Sequence, residues 1–188
     1  MQDYLFGYGS LMNATSASRA VGRSLSLNDL VPTWVSSYQR SWSLKEQVFS
    51  ETLGRPITGV FLDLRAVADG HVNGVLIAVS NTELANLRIR EKNYDCVDIT
   101  ARVDFRGTLA ARAGARILTF LAKPEQKVLP HSSEELYVMG RYIDMVETAC
   151  REIGEEFLRE YWSTTEEVRF PIIDGIYTFI DPAQAKYV

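Results

Sequence analysis

From Val31 to Leu121 the chain offers one extended-type run after another with a single helical interruption, and that succession limits its fold more than any other feature. Val31 to Leu44 is dense in aromatic and β-branched residues (Val31, Trp34, Val35, Tyr38, Trp42), with Pro32 near its start, where a missing N–H is tolerated. Ile57 to Leu64 alternates, and Val72 to Val79 is a second apolar run. Asp69-Gly70 between them is a tight-turn signal, so the pair reads as a hairpin. Tyr94 to Phe105 returns to alternation, Arg116 to Leu121 is a further strand, and Gly107 to Gly114 is a connection. Residues 45–56, with Lys45, Glu46, Gln47, Glu51, Gly54, Arg55 and Pro56, read as a loop able to close over a site. With Tyr4 to Gly7 at the start, the count is about five or six strands, few of them separated by helices, which disfavours a doubly wound parallel sheet. The expected fold is α+β: a small, mostly antiparallel curved sheet or β-barrel with flanking helices.

Three helical segments accompany the strands. Asn13 is placed to cap a short helix through Val21, ended by Gly22. Either Ser80 or Asn81 can cap a second, running through Arg90. After a proline-bounded loop from Lys123 to Ser133, apolar residues at Leu136, Met139, Tyr142/Ile143, Val146, Cys150, Ile153 and Phe157 follow steps of three and four. They predict a long helix from Ser133, divided near Gly154. At 188 residues the chain fits one domain, expected over residues 1–163. Residues 164–188 read as an extension packing on it, with Val168 to Ile180 extended or irregular.

Charge and composition exclude several classes. A net charge of −4 lacks the basic face that nucleic acid requires. No run of about twenty apolar residues is present, so no membrane span is expected. Gln2 and Asp3 do not begin a signal segment, and the expected location is cytoplasmic. Cys96 and Cys150 are far apart and read as buried thiols, while His71 and His131 lie in separate segments. No metal site and no cofactor are expected from such spacing. Oligomeric state is not legible.

Two stretches carry candidate chemistry. Gly7-Tyr8-Gly9-Ser10-Leu11-Met12 begins like a dinucleotide fingerprint, but Met12 occupies the third glycine position and no βαβ unit follows. Ser10 is no nucleophile elbow either, since a glycine would be needed at Met12. What remains is either a strand end with a tight turn or a loop whose successive N–H groups hold a carboxylate or phosphate. Leu84, Leu87 and Glu91 stand at i, i+3 and i+7, within about 60° on a helical wheel, so Glu91 continues an inward leucine stripe. Burial there raises a carboxyl pKa toward the range of a general acid or base. The alternative is a salt-bridged helix end, since Arg88, Arg90 and Lys92 flank it. Tyr142 falls on the apolar stripe of the late helix, and its hydroxyl needs a partner, for which a ligand carboxylate is one option.

Phe6-Gly7-Tyr8-Gly9-Ser10-Leu11 resembles the Tyr-Gly-Ser loop of the γ-glutamylcyclotransferase-like family. Arg90-Glu91-Lys92-Asn93-Tyr94 is similar to the segment holding that family's catalytic glutamate. Ser132-Ser133 with Tyr142, Val146, Ala149 and Gly154 resembles its late helix, and Tyr38-Gln39-Arg40-Ser41-Trp42 and the runs around Gly59 and Gly74 also fit. Arg88, Asn93 and Ala149-Cys150 depart from the pattern, and residues from Thr164 onward have no counterpart in it. The resemblance, from Asp3 to Tyr161, implies release of 5-oxoproline from a small γ-glutamyl substrate. It implies Glu91 as general acid/base and the N–H groups of Gly9, Ser10 and Leu11 on the substrate's carboxylate, with Tyr8 and Tyr142 lining the pocket. A non-catalytic small-molecule binding or interaction module on the same fold is the rival expectation.

Overall fold

The computed structural model describes residues 2–104, 114–129 and 133–185. Two long antiparallel strands, β2 (Val31–Ser50) and β3 (Arg55–Val79), form its frame, with β1 (Asp3–Gly7) beside the far end of β3. The extended run beginning at Val31 therefore continues through residues 45–50, which are strand and not loop. Along them Leu44, Glu46, Val48 and Ser50 are buried while Gln47 and Phe49 face out, the period-two pattern of a strand with one face on the core.

The Asp69-Gly70 signal does not reverse the chain. Ser36 pairs with His71 and Tyr38 with Ala66, so β3 carries extra residues here and makes a bulge within a continuous strand. Ser37 takes φ 64°, and a Cβ built on Gly70 falls 2.5 Å from the Tyr38 carbonyl oxygen. The glycine is required for close backbone approach, and both apolar runs belong to β3, one bent strand paired with β2.

The described residues place nine strands in one sheet. Helix α1 (Ala14–Val21) follows β1, and α2 (Asn81–Arg90) follows β3. Next come β4 (Tyr94–Asp98), β5 (Val103–Asp104) and β6 (Arg116–Ala122), and the principal order is β4-β6-β1-β3-β2-β5. A one-turn helix at Thr100–Arg102 divides the alternating run from Tyr94; Phe105 and residues 107–113 lie outside the described residues. Most pairings are antiparallel, but β1 pairs β6 in parallel. The architecture is the expected α+β fold with a curled sheet.

The late helix starts seven residues after Ser133. Leu136–Met139 is strand β7, parallel to β3 at Thr58 to Val60, and only from Gly140 does helix α3 (Gly140–Ile153) begin. Leu136 and Met139 satisfy a helical step of three, yet Leu136 and Val138 are also alternate inward residues of a β-prone segment, and pairing with an open strand edge decides between the two. Helix α4 (Glu155–Ser163) follows Gly154. The chain then adds β8 (Ile172–Ile173) to β7, β9 (Tyr177–Phe179) to β2 and a short α5 (Pro182–Ala185). Cys150 is buried as expected, whereas Cys96 is half-buried on β4.

At one end of the core sits Arg40, fully buried. Its Nε donates to the Tyr8 carbonyl at 2.9 Å, one terminal nitrogen to Thr164 Oγ1 at 2.9 Å, and the other to Asn73 Oδ1 at 2.7 Å and to the Asn73 carbonyl. The guanidinium also stacks 4.5 Å from the Tyr161 ring centroid. Burial lowers its pKa to about 10, so it stays a cation at neutral pH. This network ties the opening loop to α4.

Candidate active site

Strand β1 delivers Tyr8 and Gly9 to a one-turn helix, Ser10–Met12, and Asn13 then caps α1 by accepting from the Ser16 N–H at 3.0 Å. Gly9 is fixed by what lies above it: a Cβ there falls 2.6 Å from the Tyr142 hydroxyl and 3.7 Å from Leu62 Cδ1. Tyr142, on the first turn of α3, stands edge-on to Phe61 and Trp42, with centroids at 5.2 and 6.2 Å. Its hydroxyl finds hydrogen-bond partners in the backbone of Ser10 and Leu62. Burial nevertheless holds its pKa well above the usual phenol value. The partner that the sequence left open is thus main chain of the loop itself.

Glu91 is placed by α2. Ser80 is the cap, accepting from the Glu83 N–H at 3.2 Å while Glu83 returns to the Ser80 N–H at 2.6 Å in a reciprocal box. Leu84 and Leu87 are buried as the stripe requires, and Glu91 is the first residue past the last helical turn. Its side chain is 14% exposed, with Arg90 Nε 3.3 Å from a carboxylate oxygen. Both sequence readings of Glu91 therefore hold in part: it points inward and it has an adjacent arginine. Burial raises its pKa, the Arg90 charge opposes the shift, and the nearby Glu46 carboxylate adds to it.

A cavity of about 690 Å³ opens between the sheet and helices α1 and α3. Ser10, Glu91 and Tyr142 line it together, although they are some eighty and fifty residues apart in the chain. Tyr8, Gly9 and Leu11 do not line it. Tyr8 is buried with its hydroxyl donating to the Phe120 carbonyl at 2.7 Å, and burial raises its pKa far above 10. Leu11 is half-buried against Gly7. The resemblance assigns the Tyr8 side chain and the N–H groups of Gly9 and Leu11 to the substrate; in the structure the Tyr8 hydroxyl is engaged by the Phe120 carbonyl, and Gly9 and Leu11 flank the Ser10 that lines the cavity.

The residue that sequence reading missed is Glu46. It is a buried carboxylate on the inward face of β2, accepting from Asn93 Nδ2 at 2.8 and 3.1 Å and from Gln184 Nε2 at 3.0 Å. Burial raises its pKa, and those hydrogen bonds pull the other way. The available signal was the alternation Leu44-x-Glu46-x-Val48, hidden by the polar residues between. Tyr177, Phe179 and Gln184, all from the last part of the chain, complete this side of the cavity. Among the described residues no group of three or more His, Cys, Asp or Glu side chains is arranged to hold a metal, and no helix is long and apolar enough to cross a membrane. His131 and Ser132 lie outside those residues.

No family model matches the sequence, and no curated protein does. Solved structures match in fold. A γ-glutamyl cyclotransferase aligns with a TM-score of 0.55 at 10% identity, over 92% of this chain and 94% of that one. An uncharacterized protein from Homo sapiens aligns with 0.55 at 12% identity, again over 92% and 94%. YkqA from Bacillus subtilis aligns with 0.54 at 22% identity over 88% of this chain, which spans just 56% of YkqA. At these identities the shared property is the fold.

Proposed function

We propose that the protein is a γ-glutamylcyclotransferase-type enzyme that releases 5-oxoproline from a small γ-glutamyl peptide or amine. The observation that carries this reading is the half-buried Glu91 carboxylate lining one cavity with Ser10 and Tyr142, on a fold shared with a γ-glutamyl cyclotransferase. In the reaction the α-nitrogen of the γ-glutamyl group attacks its own γ-carbonyl carbon. A new C–N bond closes the five-membered ring, and the bond to the leaving nitrogen breaks. Nucleophile and electrophile are already tethered, so holding the chain folded supplies much of the rate. Glu91 takes the proton from the α-ammonium and returns one to the leaving nitrogen, so charge and atoms balance without a co-reactant. Ser10 and the backbone of its loop hold the substrate's α-carboxylate, with Tyr142 bracing the loop.

The test is incubation with glutathione, γ-glutamyl dipeptides and γ-glutamylamines, assayed for 5-oxoproline, with Glu91→Gln in parallel. Turnover in the wild type that is lost in the variant supports the reading, and near-normal turnover in the variant overturns it. The base must be ionised, so kcat/KM rises with pH through an ionisation above the ordinary glutamate value of 4.5. The rival, a non-catalytic binding module, draws on the Arg90–Glu91 ion pair; silence across the panel together with retained binding of a γ-glutamyl ligand favours it.

A further inference from the structure

Glu91 stands where α2 ends. Its N–H closes the helix on the Leu87 carbonyl at 2.7 Å, and its carbonyl accepts from the Tyr94 N–H at 2.9 Å. Residues 91–93 are therefore the turn between α2 and β4. A backbone bond from the Lys123 N–H to the Asn93 carbonyl, at 3.0 Å, ties this turn to the end of β6. Its ties toward β2, which supplies the facing wall of the cavity, are made by side chains.

Lys92 pairs with Asp181 at 2.5 Å, but its side chain is 52% exposed, and a solvated pair of this kind holds weakly. Asn93 reaches inward instead. Its Nδ2 donates to both oxygens of Glu46, at 2.8 and 3.1 Å, across 47 positions of chain. Glu46 is 7% exposed, is held in register with Gly59 of β3, and accepts a further bond from Gln184 Nε2 at 3.0 Å. Hydrogen bonds to a carboxylate are stronger than neutral ones, and the short Asn93 side chain loses less freedom than a lysine when ordered. Asn93 is also a position at which the chain departs from the pattern it resembles.

We infer that Asn93 and Glu46 are positioning residues for Glu91: their contact clamps the turn after α2 to β2 and so holds the Glu91 carboxylate at the cavity wall. The other titratable groups facing Glu91 are Arg90 on α2, Tyr94 on β4 and Tyr8 on the opening loop. Arg19, Arg141 and Asp144 border the same cavity at exposed positions, and Lys92 and Asp181 face Glu46. The inference rests on the reading of Glu91 as the proton carrier, and its test observes Glu91 directly so that the two fail separately.

¹³C NMR of glutamate side-chain carboxyls follows Glu91, identified by the signal that Glu91→Gln removes. Release of 5-oxoproline from glutathione, γ-glutamyl dipeptides and γ-glutamylamines is measured on the same variants. In Asn93→Ala the freed turn gives the carboxyl more water, and its titration is expected to move down toward the ordinary value of 4.5. There kcat is expected to fall about 10- to 100-fold with KM within about 2-fold, the mark of a misplaced group that acts in the transition state. Asn93→Asp sets two carboxylates against each other and breaks the clamp as well. Adding Glu46→Gln rebuilds the bond with donor and acceptor exchanged, and is expected to return the Glu91 titration and bring kcat within about 5-fold of wild type. An unmoved Glu91 signal in Asn93→Ala, no recovery in the exchanged pair, or a kcat that falls only with the folded fraction overturns the clamp. Wild-type kcat in every variant at positions 46 and 93 overturns it too and leaves the reaction standing. Displacement and recovery of Glu91 with no 5-oxoproline from the wild-type protein upholds the clamp and overturns the reaction.

Discussion

Arg40 and Glu46 are both charged residues of β2 buried to within a few per cent, yet their surroundings differ in kind. Around Arg40, every guanidinium nitrogen meets an acceptor and an aromatic face covers the group. Around Glu46 the donors run out, an amide oxygen is orphaned, and the space continues into a cavity. Burial is the same; satisfaction is not. A buried charge with complete partners resists any change to its surroundings, while one beside a void keeps acceptor positions that solvent can still reach.

Four substitutions break or sharpen that contrast. Arg40→Met strips the donors from the Tyr8 carbonyl, Asn73 and Thr164 at once, and should cost about 3–5 kcal/mol in urea unfolding. Glu91→Gln should leave the thermal midpoint within about 2 °C of wild type. Its 5-oxoproline release should fall about 10²–10⁴-fold, the usual contribution of a general acid/base.

Gly9→Ala comes third. Its Cβ meets the Tyr142 hydroxyl, and such overpacking should cost about 1–3 kcal/mol of stability together with weaker ligand binding. In a Tyr142→Phe background the same alanine should cost less than about 1 kcal/mol, and a double-mutant cycle reads the difference. Equal costs in both backgrounds would show that the hydroxyl does not set the need for glycine.

Glu46→Gln has the smallest expected effect, within about 1 kcal/mol, and its sign depends on pH. The folded-state pKa of Glu46 is raised, so its favourable contribution is complete below the ordinary value of 4.5 and is lost as pH rises through the folded value. The variant should therefore gain stability relative to wild type as pH climbs through that range. A loss at neutral pH as large as that of Arg40→Met would erase the distinction between the two clusters.

Much of this was legible from local chemistry. The Asn13 cap and Gly22 stop delimit α1, and the leucine stripe of α2 turned Glu91 inward, because caps and helical periodicity act over a few neighbouring residues. The misreadings share one cause. Residues 45–50 looked like a loop, Asp69-Gly70 like a hairpin turn and Leu136–Met139 like helix, and in each a strand pairing far away in sequence prevailed over the local signal. Glu46 went unseen because a charged residue between Lys45 and Gln47 looks solvated until the strand's alternation is known.

The sequence by itself determined the α+β class, the bounds of α1 and α2, and the leucine stripe that Glu91 continues, all of which follow from spacing along one segment. Only the tertiary structure decided that Tyr142 braces the Ser10 loop, that the Tyr8 hydroxyl goes to the Phe120 carbonyl, and that Gln184 reaches Glu46 across 138 positions of chain. The reason is physical: the caps and stripes of α1 and α2 are set by neighbours in the chain, whereas whether a buried polar group is satisfied depends on partners that only the closed sheet brings together.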